Sequence, residues 1–249
     1  MFDTYAEIFA ERATAYHAAM AQCPQAREVE FRAMLDPLRN RSGLLCDMPS
    51  GGGYLAAYVP ADWRYVGVDP AEDFIEACPT GLERIKSAIT NVPLEDGSLD
   101  AIVSLAGLHH EPDLARVFEE MRRLLKPGGR AVLADVAIET SPAGFLNGFV
   151  DRNNPMGHEG HFLDARLRGL LEQAGFVVSD DRLIEAPWQF DNLEEAGSFC
   201  RQLFWMPSLS NEAVAEAMDR EIGFDVEDGR PRLRWRLRRI VCDAIELDD

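Results

Sequence analysis

The sequence is short of positive charge: 25 lysines and arginines stand against 43 aspartates and glutamates, a formal net charge of −18. Nucleic acid and anionic membrane are therefore not expected as partners, because both need a broad basic surface. No apolar run approaches the roughly 20 residues of a membrane span, and no basic-then-apolar leader pattern opens the chain. The five cysteines, Cys23, Cys46, Cys78, Cys200 and Cys242, are odd in number and form no C-x-x-C pair. Free thiols in a reducing cytoplasm are expected, rather than a disulfide frame or a zinc site. Internal repeats and low-complexity segments are missing as well. What remains is a chain of 249 residues with 47% apolar content, long enough for one α/β domain with a sizeable core.

The densest local signal is Leu44-Leu45-Cys46-Asp47-Met48-Pro49-Ser50-Gly51-Gly52-Gly53-Tyr54-Leu55. It reads as a buried strand, a carboxylate, a glycine turn and the start of a helix. Consecutive glycines allow dihedrals that a Cβ forbids and let a ligand come close to the backbone. A helix starting there offers unpaired N–H groups, and Asp47 sits where open α/β sheets bind ligands. Gly51-Gly52-Gly53-Tyr54-Leu55-Ala56 also fits the G-x-G-x-x-A dinucleotide fingerprint, with Asp69 about 20 residues on. A plain connecting turn is the third reading of the same residues.

Helices are expected over 3–22 and 25–39, with Tyr5, Ile8, Phe9, Arg12 and Tyr16 at helical spacing. That stripe is core packing, or else Tyr16 closes over a ligand. Strands are expected at Leu44–Cys46, Tyr65–Val68, near Arg84–Ala88, at Ala101–Ser104 and at Arg130–Val136. Helices are expected over 54–59, 71–78 and 112–125, and Lys126-Pro127-Gly128-Gly129 stops the last of these. The alternation predicts a doubly wound parallel sheet. Residues 141–160 read as a loop of lid type. A helix then covers 161–174, a strand 176–185, and a mostly helical insert 188–228. Arg232 to Arg238 alternates arginine with apolar residues and reads as the last strand. Its arginines face solvent, or else they meet an acidic substrate or subunit.

Taken together, these landmarks resemble the class I S-adenosylmethionine-dependent methyltransferase family. Asp47-Met48-Pro49-Ser50-Gly51-Gly52-Gly53 resembles the family's D/E-x-G-x-G-x-G strand end, with Pro49 in place of the first glycine. Val92-Pro93-Leu94-Glu95-Asp96-Gly97-Ser98-Leu99-Asp100 resembles its L-P-F-x-D-x-S-F-D segment, and Arg123 to Gly129 its R-V-L-K-P-G-G turn. Phe9 to Tyr16 resembles the N-terminal helix whose tyrosine covers the methionine end of the cofactor. The resemblance is specific over about residues 5–138 and only architectural beyond. An oxidoreductase has no use for the late Lys-Pro-Gly-Gly hairpin, which sets the nicotinamide alternative behind.

The family implies a Rossmann-like seven-stranded sheet, mostly parallel with an antiparallel last strand, helices on both faces and a helical insert before that strand. One domain then spans 1–249: a helical cap 1–40, a cofactor core 41–138 and a substrate side 139–249. The cofactor implied is S-adenosylmethionine. Carried over by position, its contacts are Tyr16, Asp47, Pro49, Ser50, Gly51 and Gly53, then Asp69 and Pro70 for the ribose. Ser87 and Ala88 stand where the family has an acid near adenine, and Ser104 and Leu105 end the fourth strand. His109 and His110 follow that strand, and His109 is expected to take a proton from the acceptor. His158, His161, Phe204 and Trp205 are expected on the acceptor side, the first two without a metal, since their spacing is no zinc pattern and no third ligand is evident. The expected reaction is methyl transfer to a small-molecule acceptor by direct displacement. The alternative is a cofactor-binding protein of this fold without turnover, and the apolar insert doubles as a homodimer surface.

Overall fold

The computed structural model describes residues 5–245, with side chains from Arg12 onward apart from Ala77. The side chains of Tyr5, Ile8 and Phe9 therefore lie outside the described residues. In chain order, α1 (Tyr5–Gln22) and α2 (Glu28–Leu35) precede β1 (Gly43–Asp47), β2 (Trp63–Asp69), α3 (Glu72–Ala77) and β3 (Glu83–Lys86). Next come β4 (Leu99–Leu105), α4 (Leu114–Leu124), β5 (Leu125–Asp135), α5 (Ser141–Gly144), α6 (Asp151–Asn153) and α7 (Leu167–Gln173). The chain closes with β6 (Phe176–Glu185), β7 (Trp188–Gln189), α8 (Leu193–Leu203), α9 (Asn211–Glu221), β8 (Phe224–Glu227), β9 (Arg230–Leu233) and β10 (Arg236–Ala244).

Seven strands form one sheet in the order β3-β2-β1-β4-β5-β10-β6. Its neighbours are parallel except β10, which runs antiparallel to both β5 and β6. This is the expected Rossmann-like arrangement. Period-two alternation divides its residues between two cores. Leu45, Val103 and Val132 face α1, α2, α8 and α9, whereas Cys46, Ile102 and Leu133 face α4 and α7. On α4, Val117, Phe118, Met121 and Leu124 form the buried face, and the Asp113 carboxylate caps the first turn by accepting the Arg116 N–H. All five cysteines are buried and free. No described helix is long and apolar enough to cross a membrane.

Strand order reverses between β1 and β4, so the crevice at their carboxyl ends is the natural ligand position. Two close approaches shape it. Gly51, Gly52 and Gly53 all have positive φ, and a Cβ on Gly107 would lie 2.3 Å from Pro49 Cγ. A side chain at 107 would push the ends of β1 and β4 apart.

Several local expectations fail for identifiable reasons. The residues after the glycine turn form only a five-residue 3-10 segment, Tyr54–Tyr58, not an α-helix. Residues 141–153 are helical, not loop-like: α5 runs into a π-helical segment, Phe145–Val150, and then α6. Glycines and asparagines lower the helical signal there, but burying Phe145, Leu146 and Val150 outweighs it. Residues 161–166 precede α7 without being helical, and a bridge from Leu163 to Ala137 ties them down. The insert 188–228 begins and ends in strand, because β7, β9 and β8 make a second, three-stranded sheet. Asp228 and Gly229, at φ 51° and 78°, form the two-residue turn that joins β8 to β9. The alternating row 232–238 is likewise two strands in two sheets, broken at Arg234–Trp235. Leu233, Trp235 and Leu237 are buried, while all four arginines pair within the chain. Arg232 meets Glu227, Arg234 Asp225, Arg236 Glu185 and Arg238 Asp181.

Candidate functional site

The crevice opens into a cavity that is continuous with solvent. One end is built by β1 and the glycine turn. Asp47, Pro49, Ser50 and Gly51 line it, with Tyr16 from α1 across from them. Asp47 is 3% exposed and accepts the Tyr65 hydroxyl at 2.8 Å. Burial pushes its carboxyl well above the ordinary carboxylate range, against the pull of the Tyr65 hydrogen bond. A cation placed beside Asp47 would reverse that shift. Ser50 Oγ is buried at the edge of the cavity, with the Cys78 thiol as its neighbour. This end therefore offers a carboxylate, a buried hydroxyl and a glycine turn without side chains.

The other end is built after β4. Residues 108–110 form a 3-10 turn that carries His109 and His110. Asp135, the last residue of β5, is fully buried and holds His109 twice. Its Oδ1 accepts from the ring Nδ1 at 2.8 Å, and its Oδ2 accepts the His109 backbone N–H at 3.0 Å. A carboxylate can only accept here, so Nδ1 carries the proton and Nε2 keeps the lone pair. His158, from the segment after α6, completes a triangle of imidazoles. Ring centroids lie 4.0 Å apart for His109 and His110, and 5.5 Å from each of these to His158. Burial, then its imidazole neighbours and Arg12, hold His110 well below the ordinary imidazole value; burial, His109 and Arg12 do the same to His158.

An aromatic wall closes the remaining side. Trp188 and Trp235 stack at 4.3 Å, and Phe204 lies 6.1 Å from each. Behind them Arg27 is buried, bonding Glu30 through Nε at 2.5 Å and the Tyr16 hydroxyl through Nη1 at 2.8 Å. Trp188 Nε1–H also reaches Glu30, at 3.2 Å. This network fixes Tyr16 and the wall relative to each other.

Of the residues singled out in the sequence, Tyr16, Asp47, Pro49, Ser50, Gly51, Leu105, His109, His110, His158 and Phe204 line this one cavity. The rest do not. Asp69 is fully buried, and its two oxygens accept the N–H groups of Gly51 and Ala71, at 2.8 and 2.9 Å. The glycine turn's donor is thus met by the chain's own carboxylate, and Asp69 braces the turn from behind. Gly53 shapes the turn, and Pro70 follows Asp69 outside the cavity. Ser87 spends its hydroxyl on Asn91 O at 2.7 Å, and Ala88 is exposed beside it. Ser104 is sealed in the sheet, while His161 is exposed and Trp205 only half-buried outside the wall. Reasoning from sequence missed Asp135, Arg27, Glu30 and Trp235. Asp135 could have been found, since it ends a strand as Asp47 does.

Comparison with known proteins bears on the domain and its fold. Residues 46–133 match the family model described as "Methyltransferase domain". An uncharacterized methyltransferase of Mycobacteroides abscessus is 37% identical over 39% of this chain and 40% of its own length. The match spans only 33–40% of the first curated relatives. The uncharacterized methyltransferase YcgJ of Bacillus subtilis is 24% identical over 80% of this chain and 83% of its own. Its solved structure covers 90% of this chain and 100% of that one, at a TM-score of 0.60 and 16% identity. The structure of the [4+2]-cyclase SpnF covers 99% and 97%, at a TM-score of 0.65 and 15% identity, a likeness of fold alone. Residues 46–133 are thus similar to a methyltransferase domain, and the seven-stranded fold is shared with solved structures that include a methyltransferase-like protein of Bacillus halodurans at a TM-score of 0.62.

Proposed function

We propose that the protein transfers the methyl group of S-adenosylmethionine to a heteroatom of a small, largely apolar acceptor. The observation that carries this is the two-ended cavity. A buried carboxylate that a cation would relieve and a serine hydroxyl face, across one space, a cluster of imidazoles and an aromatic wall. The first end fits the sulfonium and amino-acid part of the cofactor, through Asp47, Ser50, Gly51 and Tyr16. When bound, the cofactor supplies a methyl already activated on sulfur, so the protein's task is alignment and exclusion of water. Trp188, Phe204 and Trp235 hold a flat apolar body. His109, with its Nε2 lone pair fixed by Asp135, stands where the acceptor's heteroatom is activated. The strongly negative chain supports a small molecule rather than a nucleic acid as acceptor, and we place the protein in the cytoplasm on its five free thiols.

Calorimetry with S-adenosylmethionine and S-adenosylhomocysteine, followed by a screen of phenols, thiols and amines for production of the latter, tests the reading. Binding of both and turnover with an apolar acceptor are expected. No binding of either compound overturns it. Tight binding without turnover across the screen favours a cofactor-binding protein that transfers nothing.

A further inference from the structure

We propose that His109, His110 and His158 form a site for one divalent transition-metal ion of the kind that takes neutral imidazole, with zinc as the type. The three side chains each offer one ring nitrogen, and these atoms lie within 4.8 Å of one another. One tetrahedral ion with bonds of about 2.0–2.1 Å needs its ligand atoms about 3.3–3.4 Å apart, so the rings would draw together by up to about 1.5 Å on taking up the metal. Sequence proximity gives no hint of it, since His158 is brought to the other two by the turn after α6.

The groups around the triangle are those that metal-bound imidazoles use. Asp135 accepts from His109 Nδ1, which leaves Nε2 of His109 as an electron-pair donor. Asn147 does the same for His158. Its Oδ1 accepts the Gly160 N–H at 2.8 Å, so the amide orientation is fixed, and the same oxygen meets His158 Nδ1 at 3.1 Å. His158 Nδ1 must therefore be the donor, and its Nε2 carries the lone pair. Two of the three imidazoles are thus tautomerically fixed by separate outer partners, the arrangement by which proteins orient ligating histidines. Among the described residues no carboxylate joins the triangle, and Arg12 lines the same cavity. An ion held there has a fourth position open to the cavity and an environment that favours an anion in it.

The consequence for the reaction rests on the methyl-transfer reading. The heteroatom of a phenol or thiol taking the open position loses its proton to solvent, because coordination lowers its pKa. Its electron pair is then available to form the new bond to carbon as the methyl leaves the sulfonium sulfur, which keeps the pair of the broken bond. His109 in that case donates to the ion and does not itself take the proton.

The test uses full-length protein stripped with chelator and titrated with Co2+, whose visible bands report its ligands, then with Zn2+ in competition. One equivalent of Co2+ with nitrogen-ligand bands, displaced by Zn2+, is expected. His158→Ala and His110→Ala should each weaken uptake by more than tenfold, and Asn147→Ala by about 10- to 100-fold. His161→Ala should leave uptake unchanged. Circular dichroism and thermal melting, run on every variant, show that the fold is intact, and His158→Gln replaces any variant that fails to fold. No stoichiometric uptake, or equal uptake by the His158 and His110 variants, overturns the site. Uptake of metal without any binding of S-adenosylhomocysteine keeps the site and fells the methyl-transfer reading. Binding of that compound without metal does the reverse.

Discussion

The two ends of the cavity are made in different ways. The end proposed for the cofactor comes from a short run of chain, Asp47 to Gly51, set on one strand end, with Tyr16 laid across it. The end proposed for the acceptor draws on residues as far apart as Arg27, His109, His158, Phe204 and Trp235. One is a local device that any sheet of this topology can carry; the other exists only because α1, α8 and the second sheet pack on the same face. The matched residues 46–133 hold the glycine turn together with His109 and His110, but not Tyr16, His158 or the aromatic wall.

The sharpest way to break this contrast is to ask whether the acceptor side is an independent unit. Phe199 on α8 is fully buried, 5.7 Å from Trp188 and 5.4 Å from Phe190. Phe199→Ala should cost about 3–5 kcal/mol, by lost burial and a residual cavity. If both halves share one fold, calorimetry will show a single transition moved down. Two separated transitions, with only one moved, would mean the contrast is between domains rather than between ends of one site.

A somewhat smaller effect is expected at the local end. Asp47→Asn should weaken binding of S-adenosylmethionine by about 100-fold, as expected when a buried charge loses its partner. The same change should affect the empty protein in the opposite sense. The Asp47 carboxyl is raised in the folded chain, so its contribution is fully present below the ordinary carboxylate range and is lost as pH rises towards the folded value. Asparagine has nothing to lose, so the variant's melting temperature should gain on the wild type as pH increases through that window. Parallel melting curves from pH 4 to 8 would show that Asp47 is not carrying this strain.

The smallest effects test the arginine row. Arg238 grips Asp181 through two bonds of 2.8 and 2.9 Å, largely shielded from solvent, whereas Arg236 and Glu185 pair at the surface. Arg238→Ala should cost about 1.5–3 kcal/mol and Arg236→Ala about 0–0.5 kcal/mol. Arg238 holds the Asp181 carboxyl below its ordinary value. The difference should therefore be full at neutral pH and fade as pH falls through that depressed value. Equal losses measured in urea would mean that the row acts as undivided surface charge.

Much of the glycine-turn end was legible because its signals are local. Asp47, the three glycines and the Lys126-Pro127-Gly128-Gly129 turn have meanings set by backbone sterics within a few residues. Asp69 was read from the same kind of signal, and the structure adds that its oxygens accept from Gly51 and Ala71. A strand-end carboxylate can serve a ligand or its own loop, and the sequence does not say which. The helical stretch 141–153 was hidden by its glycines, and the hairpin at Asp228-Gly229 went unused although the pair is a strong turn signal.

By itself the sequence determined the alternation of strands and helices from β1 to β5 and the glycine bend. These follow from periodicity and from the few residues able to adopt a given dihedral. Only the tertiary structure decided that Asp135 stands behind His109, that His158 joins His110, and that Trp235 faces Trp188. Each of those meetings joins residues 26 or more positions apart. Nothing in their local spacing encodes them; packing the two helical layers onto a twisted sheet does.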